Sequence, residues 1–130
     1  MKKAVIYARH ITYRSYEPSI TEQLYNCNQC ADKYNLEVVK TYCETSNIKL
    51  KVYPMFEKMK KDCKKLKVDT IIIYSMFIVG RIYTRVKKFT DEMKKKGIKV
   101  IFVDIDASPF RQQYEMLEKL INKLTKGGDK

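Results

Sequence analysis

Along this chain, apolar positions switch repeatedly between a spacing near two and a spacing near 3.6. Lys3-Ala4-Val5-Ile6-Tyr7-Ala8 is an apolar run of strand length, and a polar, turn-rich stretch follows from Arg9 to Pro18. Ser19-Ile20-Thr21-Glu22 has the form of a capping box, in which the serine hydroxyl accepts from a first-turn N–H. It predicts a helix to about Tyr34, with Ile20, Leu24, Cys27, Ala31 and Tyr34 on one stripe. Leu36 to Tyr42 alternates and carries β-branched Val38 and Val39, so it predicts a strand. Cys43 to Tyr53 has no clear period and predicts a mobile loop. Pro54 suits a first helical turn, and Met55, Phe56, Met59, Cys63 and Leu66 continue at helical spacing.

Thr70-Ile71-Ile72-Ile73-Tyr74 is apolar on both faces, as a central parallel strand must be. A helix is expected from about Ile82 to Lys96, closed by Gly97, and a strand from Ile98 to Val103. A last amphipathic helix is expected from near Phe110 to about Thr125, with Tyr114, Leu117, Leu120, Ile121 and Leu124 on its apolar side. Four strand–helix alternations predict a doubly wound α/β fold with a mostly parallel sheet of about four strands. One domain over 3–125 is expected, with 126–130 as a tail or the start of a linker. In such a sheet, chemistry gathers at the carboxyl edge of the strands. That nominates Arg9 to Pro18 after the first strand and Ser75 to Arg81 after the third.

Composition narrows the function. The 130 residues are 45% apolar and 32% charged, enough for one core. No apolar run reaches transmembrane length, and Ala4-Val5-Ile6 is too short for a signal-peptide core, so a cytoplasmic protein with no membrane partner is expected. Basic residues number 27 against 15 acidic, a formal charge of +12 that favours a polyanionic partner. Lysines crowd the second helix (Lys58, Lys60, Lys61, Lys64, Lys65, Lys67) and end the third (Lys94, Lys95, Lys96), where they also suit the negative end of a helix dipole. No helix-turn-helix that could read bases is visible. Tyr53, Tyr83 and Tyr114 are candidate partner contacts, with scattered surface tyrosines the plainer explanation.

Cys27 and Cys30 form a C-x-x-C, but no second pair exists and His10 is the lone histidine, so no metal site is expected. Buried apolar thiols in a reducing compartment explain the cysteines better. No glycine-rich phosphate loop is present, and no cofactor is expected.

Ala4-Val5-Ile6-Tyr7-Ala8-Arg9, the helix opening Ser19-Ile20-Thr21-Glu22-Gln23, and the stretch from Asp69 to Arg81 together resemble the catalytic domain of resolvase/invertase-type serine recombinases. The resemblance runs over about residues 3–124. It implies a DNA site-specific recombinase domain, in which a serine oxygen attacks a phosphodiester and arginines stabilise the transferring phosphoryl group. Carried over residue by residue, the nucleophile position is Ile11, which has no lone pair to offer. The family's L-D-R falls on Met76-Phe77-Ile78, and a further arginine position falls on Tyr53. Arg9, Gln23 and Arg81 are retained, which implies phosphate contacts from these three. Thr12 and Ser15 are the substitute hydroxyls, and neither has other catalytic partners moved with it. The resemblance also implies a homodimer, or a hetero-oligomer with a related recombinase, through the last helix. The expected function is therefore a recombinase-type domain without strand cleavage. The alternative is a non-enzymatic pairing module.

Overall fold

The computed structural model describes residues 1–11, 18–46, 53–108 and 111–128. Four strands, β1 (Lys3–Ile11), β2 (Glu37–Ser46), β3 (Thr70–Ile73) and β4 (Lys99–Phe102), form one sheet in the order β2-β1-β3-β4. Every neighbouring pair is parallel. The long helices are α1 (Ile20–Lys33), α2 (Pro54–Lys65), α4 (Tyr83–Lys95) and α6 (Arg111–Gly128). Two single turns, α3 (Met76–Val79) and α5 (Val103–Asp106), follow β3 and β4.

The alternation of side chains along the strands builds two cores. Val5, Tyr7, Ile71 and Ile73 face Phe56, Met59 and Cys63 of α2 and Phe89 and Met93 of α4. Ala4, Ile6, Ile72 and Ile101 face Cys27, Cys30 and Ala31 of α1. Full burial of each large aliphatic side chain contributes roughly 1.5–3 kcal/mol. The triple isoleucine of β3 therefore anchors both layers at once. Ser19 caps α1 as its sequence predicts, its Oγ accepting from the Glu22 N–H at 3.2 Å. Gly97, at φ 76°, closes α4.

Several elements differ from the sequence reading. Cys43 to Ser46 belongs to β2 and is not loop, because β1 itself continues to Ile11 and pairs with it to the end. Beyond Tyr7 the third strand has stopped, so this part of the sheet is a two-stranded ribbon that accepts polar residues. Val103 begins a helical turn and does not end a strand, and Met76–Val79 forms a turn the pattern did not reveal. The backbone of α6 continues past Thr125 to Gly128, into the stretch expected to be tail.

Candidate functional site

The two-stranded ribbon carries the site. Arg9 and Glu44 are register partners on β1 and β2. Tyr7 precedes Arg9 on the same face of β1, and both turn towards α2. Arg9 is only 2% exposed. Its Nε donates to the Tyr7 hydroxyl at 2.7 Å, and its Nη1 donates to the carbonyl of Ile78 on α3. The guanidinium carbon lies 3.5 Å from the centre of the Tyr53 ring, 5.2 Å from that of Tyr7 and 5.7 Å from that of Phe56. Arg9 Nη2 has no hydrogen-bond partner among the described residues. The cation is thus held in an aromatic cage, where the ring faces supply the negative potential.

Glu44 completes the charge balance. The Tyr7 hydroxyl donates to Glu44 Oε2, so tyrosine bridges guanidinium and carboxylate. Burial raises the Tyr7 phenol well above its usual value, with nearby Arg9 pulling the other way. The same carboxylate accepts from the backbone N–H groups of Met55 (3.1 Å) and Phe56 (3.0 Å), in the first turn of α2. Tyr53 occupies the cap position of that helix and makes no side-chain cap, so Glu44 supplies the cap from the neighbouring strand. Glu44 was not among the sequence candidates. The signal that could have found it is Tyr53-Pro54 itself: a helix opened by a residue that cannot cap needs an acceptor from elsewhere.

Gln23 is 1% exposed and fixes the end of β1. Its Nε2 donates to the carbonyls of Arg9 (2.9 Å) and Pro18 (3.0 Å), while its Oε1 accepts from the Arg9 N–H at 3.2 Å. Both Arg9 and Gln23, for which the resemblance implied phosphate contacts, are therefore buried and bonded internally. Arg81 is exposed beyond α3. Ile78 is buried against the core, whereas Phe77 is 57% exposed. Ile11 is the last residue of β1, and Thr12 and Ser15 lie outside the described residues. Asp69 lies away from this site, at the start of β3, where its carboxylate accepts from the Lys3 N–H at 2.9 Å.

One further polar pair was not foreseen. Asp104, in the turn α5 just past β4, lies near Ser75, and burial raises its carboxyl above the ordinary range. Cys27 and Cys30 are buried on α1, and desolvation pushes the Cys27 thiol up to about 12, which leaves it unreactive. Among the described residues no cluster of side chains could hold a metal, and no helix is long and apolar enough to cross a membrane. A cavity of about 520 Å³ lies apart from Arg9, between α4, β4 and α6, walled by Val86, Val100, Phe102, Leu117 and Ile121.

A parallel sheet covered on both faces, with an arginine and a glutamine fixed at the carboxyl end of β1, defines a doubly wound α/β domain of the recombinase type. The chain belongs to the resolvase N-terminal domain family, which it matches over residues 4–127. Its fold is similar to the N-terminal catalytic domain of TP901-1 integrase, at TM-score 0.72 and 21% identity, covering 99% of this chain and 100% of that one. It is also similar to a resolvase family site-specific recombinase from Streptococcus pneumoniae (TM-score 0.66, 19% identity, 98% and 95% covered). The C-terminal catalytic domain of ISC1926 TnpA, an IS607-like serine recombinase, aligns at TM-score 0.64 and 18% identity, covering 94% and 82%. No curated protein matches the chain.

Proposed function

We propose that this chain is a serine-recombinase catalytic-type domain that engages DNA without cutting it. The observation that carries the reading is the enclosure of Arg9. A phosphoryl clamp must present N–H groups to the non-bridging oxygens of the transferring phosphate. Here two of the Arg9 nitrogens are spent on Tyr7 and Ile78, and the Tyr53 ring covers the guanidinium face. Ile11 offers no nucleophilic atom, and Phe77 and Ile78 stand where an acid and an arginine would serve. Arg9 and Gln23 then act as the frame of the site, and exposed Arg81 is the residue assigned to a DNA phosphate. Thr12 remains the position from which a substitute hydroxyl would have to act. The cytoplasm is the compartment this reading assumes.

The chain pairs with a second copy or with a related recombinase subunit. Support comes from α6, where Met116 is 70% exposed and Leu117, Leu120 and Leu124 are more than half exposed. Such an apolar row on an exposed helix is costly in water unless a partner covers it.

The test of lost cleavage is incubation with supercoiled DNA carrying family-type sites, followed by denaturing electrophoresis. No nicking and no covalent protein–DNA adduct are expected. An adduct mapped to Thr12 or Ser15 would overturn the reading. Pairing is tested by light scattering: a species heavier than 15.4 kDa is expected, and a monomer at high concentration would refute it.

A further inference from the structure

We infer that the edge of the sheet opposite Arg9 is a second DNA contact, a lysine surface that grips the phosphates of duplex DNA. This inference rests on the reading that the chain works on DNA, and adds a place on the molecule that the recombinase site does not use.

Helices in a parallel α/β fold run back against the strands, so their carboxyl ends collect at the strands' amino edge. Here α2 ends in Lys64 and Lys65 with Lys67 just beyond, and α4 ends in Lys94 and Lys95 with Lys96 just beyond. All six are exposed, and none forms an ion pair among the described residues. The two groups belong to one surface. Lys96 bears electrostatically on Cys63, in the last turn of α2. The starts of β1, β3 and β4 are laced together by Asp69 N–H to the Lys3 carbonyl (2.9 Å) and Lys99 N–H to the Asp69 carbonyl (3.0 Å). The one acid in that row, Asp69, is already engaged with the Lys3 N–H.

Last-turn lysines are also what a helix dipole favours. The backbone of Lys67 is not explained that way. Three turns lead from a helix into a strand, and all three share one hydrogen-bond pattern. Leu36 N–H bonds to the Ala31 carbonyl (2.8 Å), Val68 to Cys63 (3.0 Å) and Ile98 to Met93 (2.9 Å). Each turn needs one residue in the left-handed region: Asn35 at φ 57°, Lys67 at φ 54° and Gly97 at φ 76°. Asparagine and glycine suit that conformation, and lysine does not. The turn itself calls for the left-handed residue, and lysine fills it at the cost of some backbone strain. A lysine there adds one more exposed ammonium to the surface formed by the ends of α2 and α4.

The experiment measures binding of the full chain to a random-sequence duplex by fluorescence anisotropy across a salt series, together with thermal unfolding. Lys67→Gly is expected to unfold at a higher temperature yet bind DNA more weakly, because it relieves the backbone and removes a charge. The pair K65E/K95E is expected to weaken binding about tenfold or more. It should also flatten the log–log salt slope by roughly 0.9 for each phosphate it leaves unneutralised. The charge-matched pair K58E/K88E, at exposed positions earlier on α2 and α4, should cost much less. If K65E/K95E and K58E/K88E weaken binding equally, or Lys67→Gly binds as tightly as the parent, the amino-edge surface is overturned while the DNA reading stands. If the parent chain binds no duplex even at low salt, the DNA reading itself fails.

Discussion

The Arg9 guanidinium carbon lies over the Tyr53 ring, 3.5 Å from its centre. By the family resemblance, Tyr53 stands at a position that implies an arginine. On the proposed reading, tyrosine stands there in place of a cation and its ring covers the cation that remains. A cation–π contact of this kind contributes about 0.5–2 kcal/mol. Tyr53→Ala is expected to lower stability by about 1–2 kcal/mol in urea unfolding, and Tyr53→Phe by less than about 0.5 kcal/mol. Equal losses for both would mean that the hydroxyl, and not the ring face, matters.

Glu44 carries three hydrogen bonds and the charge that balances Arg9. Glu44→Gln keeps the shape and removes the charge, so it should destabilise by about 2 kcal/mol, as breaking a partly buried ionic network does. In a double-mutant cycle with Tyr7→Phe, the two changes are expected to couple by about 1 kcal/mol, since Tyr7 bridges the pair. Strict additivity would show that Tyr7 transmits nothing.

A pH dependence follows from Asp62 on α2. Its carboxyl is held below the ordinary range, chiefly by the hydrogen bond from the Tyr42 hydroxyl at 2.8 Å and also by Lys40 at 3.2 Å. A carboxyl lowered on folding stabilises the fold above its unfolded pKa of about 3.9, and that contribution is lost as pH falls through the folded value. In Tyr42→Phe the Asp62 carbon resonance should titrate at higher pH than in the parent. The acid-dependent loss of stability should be smaller than in the parent and complete at a higher pH, because the folded value then lies closer to the unfolded one. An unshifted titration would assign the effect to Lys40.

Most of the fold was legible because its elements are bounded by chemistry that acts locally. Ser19 caps α1, Pro54 opens α2, Gly97 closes α4, and the isoleucines of β3 leave no polar face to expose. The ends of β1 and β2 were not legible, because a ribbon paired on one side only tolerates Glu44, Thr45 and Ser46. No spacing rule marks such residues as strand. The short turns α3 and α5 lack the length at which periodicity can be seen. At the site, Arg9 could be nominated from its place at the end of the first strand and Gln23 from the family resemblance, but not their burial. The burial of Arg9 depends on Tyr53 and Ile78, which come from distant segments and meet Arg9 only once the sheet has formed.

On the proposed reading, cleavage is absent for more than one reason. Ile11→Ser supplies a hydroxyl but leaves Arg9 covered and Phe77 and Ile78 in place, so plasmid nicking should stay at background. Recovered cleavage in that single variant would show that the remaining groups suffice for phosphoryl transfer.

The enclosure of Arg9 is tested most directly by NMR of its Nε–H. The proton is donated to the Tyr7 hydroxyl inside an aromatic cage, so a resolved, slowly exchanging and ring-shifted signal is expected at neutral pH. It should stay in place when duplex DNA is added to saturation, while the signal of Arg81 moves. A fast-exchanging Arg9 signal, or one that shifts with DNA as Arg81 does, would contradict the claim that this guanidinium holds the fold and not a phosphate.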